Sequence, residues 1–306
     1  MPITDAEARF IVETREYFSN IGLWPDRPRH VNPHGWLANF SEGPDRRLAA
    51  SLLDSFLMIR TDQCQTMATS AFHGLSASRG DVFASTPTAN KQAWDEFRSS
   101  VIVTFPARRS DPAGSGHIFA RAARSWVPNP DAQLMEPAMA VNHIAKASHP
   151  CTIVFVDDFA GSGNQFCDTW MAKFAVDGGT TTSFEGLAND SRLREVYFIP
   201  AISTWRAKMR IARTAPEVTV RPAHVLPPRY SAAEEDHTLV PPSDRAALNE
   251  LLQRYAAPAG YDPSHPFGYE ECGLAISFEH ATPDNTLPIF NGGPKRPTTW
   301  RPLRSM

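Results

Sequence analysis

The stretch Thr152-Ile-Val-Phe-Val-Asp157-Asp158-Phe159-Ala160-Gly161-Ser162-Gly163-Asn164-Gln165 holds the densest chemistry in the chain. Cys151 to Val156 reads as a buried strand that runs straight into two adjacent carboxylates. A loop of small residues follows and opens into a helix expected over residues 163–174. Such a loop lets backbone N–H groups and a hydroxyl close around a phosphate at a helix N-terminus. Gly161 and Gly163 allow close backbone approach, and Ser162 supplies a donor. Asp157 and Asp158, one step upstream, can accept hydrogen bonds from vicinal sugar hydroxyls. Phosphate donors beside sugar acceptors at one strand end make a cradle for a pentose phosphate.

Outward from this stretch, two further apolar runs read as strands. Val101-Ile-Val-Thr-Phe105 ends at Pro106, and Val196-Tyr-Phe-Ile199 ends at Pro200. Helices are expected between and after them, near residues 117–124, 132–147, 163–174 and 205–212. Strands alternating with helices imply parallel βαβ units and a doubly wound, mainly parallel α/β sheet. A last helix near 244–255 and a strand near 272–278 follow, with an irregular tail through Thr282-Pro-Asp-Asn-Thr-Leu-Pro288. The first hundred residues read as helical. Thr4 and Glu7 form a capping-box pattern ahead of Ala8, Ile11, Val12 and Phe18. Residues 45–76 form one or two helices with Leu48, Leu52, Leu53, Phe56, Leu57 and Ile59 on an apolar face, and residues 89–99 form another. The organisation expected is a helical region over 1–95 and an α/β domain over 96–306.

Composition bounds the function. The 306 residues carry 42% apolar and 21% charged side chains, enough to bury a core. Thirty Lys and Arg against 33 Asp and Glu leave a formal charge of −3, which excludes a generally basic nucleic-acid coat. Mean hydropathy is −0.33, and no apolar run approaches the ~18 residues of a membrane span. The start MPITDAEARF is polar and acidic where a signal peptide is basic and then apolar, so a cytoplasmic protein is expected. Cys64, Cys151, Cys167 and Cys272 are scattered without metal-ligand spacing, which argues against structural zinc or a disulfide framework. The 27 prolines lie mostly between the regular elements and stiffen the loops there.

The 152–165 stretch resembles the phosphoribosyl-pyrophosphate loop of type I phosphoribosyltransferases: apolar residues, two acids, small or hydroxyl residues, then Gly. The strand order expected here extends the likeness over residues 100–225. The resemblance implies that Asp157 and Asp158 hold the ribose hydroxyls, directly or through Mg²⁺. It also implies that Ala160, Gly161, Ser162, Gly163, Asn164 and Gln165 bind the 5-phosphate. Two departures stand out: Gly161 replaces the usual Thr, and Asn164-Gln165 replace a small residue plus Thr. A narrower likeness rests on Trp36-Leu-x-Asn-Phe40, Asp157-Asp-Phe-x-Gly-x-Gly-Asn-Gln165, Gly268-Tyr269 and Asn285-Thr-Leu-Pro-Ile289. This set is similar to the phosphoribosyltransferase-like family of bacterial conflict (anti-phage) systems. That likeness implies a helical N-terminal cap, a C-terminal hood over residues 267–290 and a protein partner encoded in a defence operon. A homo-oligomer is also compatible with it.

In type I enzymes the loop after an earlier strand binds pyrophosphate. Here Pro106-Ala-Arg108-Arg109 and Ser115-Gly116-His117 occupy that place. The resemblance makes Arg108 and Arg109 stabilisers of the leaving group, with Ser115 and Gly116 offering N–H donors. A P-loop hydrolase needs a Gly-Lys pair, which the chain lacks. The loop Asp158-Phe-Ala-Gly-Ser-Gly163 also resembles the cofactor loop of S-adenosylmethionine-dependent amino-group methyltransferases. Their Asp/Asn/Ser-Pro-Pro-aromatic motif has only Leu226-Pro-Pro-Arg-Tyr230 and Val240-Pro-Pro-Ser243 as counterparts. A third reading keeps the cradle but not the turnover, as a nucleotide sensor. Against each stands a structural alternative: the acids cap a turn, the arginines lie on a solvated loop, and Trp36, Trp94 and Trp205 pack a core.

Overall fold

The computed structural model describes residues 3–25, 31–78, 86–107, 119, 121–293, 295, 297 and 299–304. In chain order the regular elements begin α1 (Asp5–Asn20), α2 (Pro33–Leu37), α3 (Pro44–Asp54), β1 (Leu57–Ile59), α4 (Thr61–Gly74), α5 (Pro87–Ser100) and β2 (Ile102–Thr104). Next come α6 (Pro130–Gln133), α7 (Pro137–Lys146), β3 (Cys151–Ala160), α8 (Asn164–Met171), β4 (Phe174–Val176), β5 (Thr180–Thr182) and α9 (Phe184–Asn189). The last are β6 (Leu193–Thr204), α10 (Trp205–Thr214), β7 (Val218–Val220), β8 (His224–Leu226), α11 (Arg245–Arg254), α12 (Ala256–Ala259) and β9 (Ile276–Phe278). Two compact units result: Asp62–Leu226, and Met1–Thr61 together with Pro227–Met306.

The Asp62–Leu226 unit holds a parallel sheet in the order β2-β3-β6-β7, with β8 also pairing with β6. Both faces of its central strands are covered, which is why their sequences are continuously apolar. On β6, Phe198 stacks on Phe166 at 4.5 Å, while its neighbour Tyr197 meets Phe97 edge-on at 6.3 Å. Successive residues of a strand point to opposite faces. One face therefore packs α7, α8, α9 and α10 around Phe155, Phe166, Trp170 and Phe184. The other receives α5 and the Phe72, Phe97 and Trp126 cluster.

Two strands are longer than the apolar runs suggest. β3 continues through Asp157 and Asp158 to Ala160, and β6 continues through Pro200 to Thr204. Pro200 is tolerated because of where its backbone points. Its carbonyl accepts from Ala223 N–H, so its missing N–H faces the same edge, where the partner strand breaks into β7 and β8.

The other unit joins α1–α3 and β1 with α11, α12 and β9 around one core. The Thr4–Glu7 capping box forms as read, with Glu7 N–H on Thr4 Oγ1 at 3.2 Å and Thr4 N–H on Glu7 Oε2 at 2.7 Å. Trp36 donates from its indole to Ile289 O at 2.9 Å and stacks on Phe290 at 5.2 Å. Asn285 donates its amide to Tyr269 O at 3.1 Å, and Gly268 sits at φ +77° with no room for a Cβ beside Thr286 O. The motif pieces Trp36–Phe40, Gly268-Tyr269 and Asn285–Ile289 thus meet as a packing assembly within this unit.

Three expectations change. Residues 95 and 96, read as a boundary, lie inside α5; the units divide instead at 61/62 and 226/227, because α4 and α5 bury Phe72 and Phe97 against Trp126 and Tyr197. Leu57 and Ile59 are not on a helix. They form β1, which pairs in parallel with β9 some two hundred positions on. The helix expected over 132–147 is two helices, since Pro137 needs an extended residue before it and Leu134 bridges to Val103.

Candidate functional site

The C-terminal ends of β2, β3 and β6 lie side by side, with Thr104 opposite Phe155 and Ala160 opposite Ser203. Open α/β sheets bind ligands in the crevice at this edge. At the centre, β3 delivers the two carboxylates. Asp157 shares its face with Phe155, and Asp158 shares the opposite face with Val156. The Asp157 carboxylate accepts from Asp158 N–H at 3.0 Å, and the Asp158 carboxylate accepts from Phe159 N–H at 2.8 Å. Both acids are enclosed, at 3% and 7% exposure. Their charge is felt across the interior: the Cys64 thiol on α4 is pushed far up, first by burial, then by Asp158 and then by Asp157.

The loop after β3 is shaped by its glycines. Gly163 adopts φ +82° and is the N-cap of α8, a left-handed conformation that L side chains avoid. A Cβ there would lie 3.1 Å from Ala207 O and 3.2 Å from its Cα, so only glycine fits on both counts. Ser162 Oγ accepts from Asn164 N–H at 3.2 Å. Helix α8 is tied to the chain leaving β2: Gln165 donates to Pro106 O at 3.2 Å, and Thr169 Oγ1 accepts from Ala107 N–H at 3.0 Å. From the other side, Thr204 Oγ1 donates to Gly161 O at 2.5 Å and also caps α10 through Ala207 N–H at 2.9 Å. The Arg210 guanidinium donates to Asn164 Oδ1.

Asp157, Asp158 and Ala160–Gln165 follow one another from the end of β3 into the start of α8. Arg108, Arg109, Ser115 and Gly116 lie outside the described residues, although Ala107 is anchored beside α8. Thr204, Ala207 and Arg210 escaped the sequence reading, and so did Cys64. A Thr closing a strand ahead of a basic helix was the available signal for Thr204. One more group is notable: Thr104 Oγ1, at the end of β2, is buried without a hydrogen-bond partner. Register puts Thr104 on the face of Phe155 and Asp157. Of the tryptophans, Trp36 is core, Trp94 stacks on Phe97 at 5.1 Å, and Trp205 is 45% exposed with the Lys208 ammonium 5.7 Å from its ring.

A mainly parallel sheet whose central strand ends in paired carboxylates and a glycine loop capping a helix is consistent with a type I phosphoribosyltransferase-like fold. The profile of the PRTase-CE family matches residues 33–305, and the chain belongs to that phosphoribosyltransferase-like family. No curated protein matches the chain. No helix among the described residues is long and apolar enough to cross a membrane.

Proposed function

We propose that this protein binds a phosphoribosyl ligand, phosphoribosyl pyrophosphate or a nucleotide, with Mg²⁺, and transfers ribose 5-phosphate with release of pyrophosphate. The observation that carries this is the passage from Asp157-Asp158 on β3 into the left-handed Gly163 cap of α8, at the centre of the parallel sheet. In the reaction, the bond from C1 to the pyrophosphate oxygen breaks and a bond from an acceptor nitrogen to C1 forms. Pyrophosphate leaves with the bonding pair, and the nitrogen releases its proton to solvent. The ribosyl group turns cationic on the way, and the Asp157 and Asp158 carboxylates stabilise that charge in an enclosed site. Residues 161–165 hold the 5-phosphate with backbone N–H groups and Ser162. The leaving group would be met by Arg108 and Arg109.

Mg²⁺ takes one or two carboxylates, substrate phosphates and waters, and Asp157 or Asp158 would supply a carboxylate to it. Among the described residues no group of three or more His, Cys, Asp or Glu side chains could hold a metal by itself, so the ligand would complete the shell. When bound, the ion neutralises pyrophosphate charge. The motif pieces read from the sequence support a setting in a bacterial conflict system, with a protein partner from the same operon.

A second reading, a sensor that binds without turnover, draws support from the 3% and 7% exposure of the acids and from a loop whose one hydroxyl is Ser162. Calorimetry with phosphoribosyl pyrophosphate and MgCl₂, followed by release of labelled pyrophosphate in the presence of a panel of nitrogenous acceptor bases, separates the readings. Transfer requires binding and release; sensing gives binding alone. Asp157→Asn/Asp158→Asn is expected to abolish binding with little loss of melting temperature. Unchanged binding in that variant would sink both readings.

A further inference from the structure

The 161–165 loop is poor in phosphate-binding hydroxyls, and the neighbouring helix α10 is rich in charge. Trp205–Thr214 contains Arg206, Lys208, Arg210 and Arg213 and no carboxylate. This helix grips the loop at three points spaced three residues apart, which is one stripe of a helix. Thr204 donates to Gly161 O, the backbone of Ala207 closes on Gly163, and Arg210 donates to Asn164 Oδ1. Asn164 is the first residue of α8, where backbone N–H groups have no partner inside the helix. The Arg210 guanidinium is thus held against the side chain of the residue that opens α8.

We propose that Arg210 is the charge-recognition residue of the phosphate subsite, with Asn164 as its positioning residue. On this assignment, recognition has moved from loop hydroxyls to a guanidinium on α10, which selects a phosphorylated pentose. It rests on the phosphoribosyl reading and deepens it. Arginine suits the task because its planar fork of N–H donors matches the geometry of a phosphate.

The test is calorimetric titration of ribose 5-phosphate and phosphoribosyl pyrophosphate at two salt concentrations. Arg210→Gln is expected to weaken both ligands roughly 10- to 100-fold, the scale of a charge-assisted hydrogen bond. It should also flatten the salt dependence, which a purely structural role would not do. Arg210→Lys should retain part of the affinity as a point charge. Asn164→Asp should lose affinity on a similar scale with its circular dichroism intact, because the new carboxylate captures the guanidinium and repels phosphate. Those two variants decide the matter should Arg210→Gln fold poorly. Wild-type affinity and salt slope in both Arg210→Gln and Asn164→Asp overturn the assignment alone. Failure of the wild type to bind any phosphorylated pentose overturns the phosphoribosyl reading and the assignment with it.

Discussion

His237 shows how much a single side chain can be asked to do away from the candidate site. It is 2% exposed, and neither ring nitrogen has a hydrogen-bond partner. Its pKa lies below the usual histidine value, chiefly through burial, then through the Arg245 charge, with Asp236 opposing. The Arg245 guanidinium itself donates to His237 O at 2.8 Å. A histidine kept neutral by folding binds its proton more readily in the unfolded chain, so acid favours unfolding. The stability it contributes is complete above the unfolded value of ~6.5 and is lost as pH falls from there toward the folded pKa. The slope is bounded by one proton, about 1.4 kcal/mol per pH unit. Glu7, Asp95 and Asp262, held low by Thr4, Lys91 and Ser264, lose their contributions at lower pH than the window below ~6.5 in which His237 acts. Melting temperatures should fall across that window in the wild type, and His237→Leu should flatten the fall. An equal slope in the variant would contradict this.

At the scale of elements, β3 and α10 divide the work at the crevice. Strand β3 carries the acids into the interior, and α10 fixes the loop that follows. Thr204 joins the two jobs in one hydroxyl, capping its own helix and bonding the carbonyl of Gly161. Thr204→Val keeps the shape and removes both bonds, so a loss of about 1–2 kcal/mol in unfolding free energy is expected by denaturant titration. Thr204→Ser should recover most of it. Thr204→Val should also weaken phosphoribosyl binding, because Gly161 loses its tether. Much of this division was legible beforehand: the apolar run, the acid pair and the small-residue loop each announce a strand end opening into a helix. The extent of β3 was not, since Asp157 and Asp158 look like loop residues until β6 pairs alongside them. The grip of α10 was hidden for the same kind of reason: Arg210 and Asn164 are 46 positions apart and meet only because α8 and α10 pack on one face of the sheet.

For the whole molecule, chain order and spatial organisation part company. The Asp62–Leu226 unit is continuous in sequence, while its companion is assembled from both ends of the chain. A fragment of residues 62–226 contains its sheet, its covering helices and its own core, and is expected to unfold cooperatively when expressed alone. A fragment of residues 1–95 is expected to lack cooperative structure, because β1 loses β9 and Trp36 loses Ile289. Circular dichroism melts of the two fragments check this directly. Cooperative melting of 1–95 would restore the boundary that helical periodicity suggested.

By itself the sequence determined the parallel α/β class and the acid-and-glycine segment at its centre. Both follow from local chemistry: continuous apolar runs need two covered faces, and small residues at a strand end need no distant partner to be read. Tertiary structure alone decided that Leu57–Ile59 is a strand, that both chain ends share a core, and that α10 brings Arg210 to the loop. Those outcomes depend on pairings between residues far apart in the chain, whose free energy exceeds local preference and leaves no periodic trace in either partner.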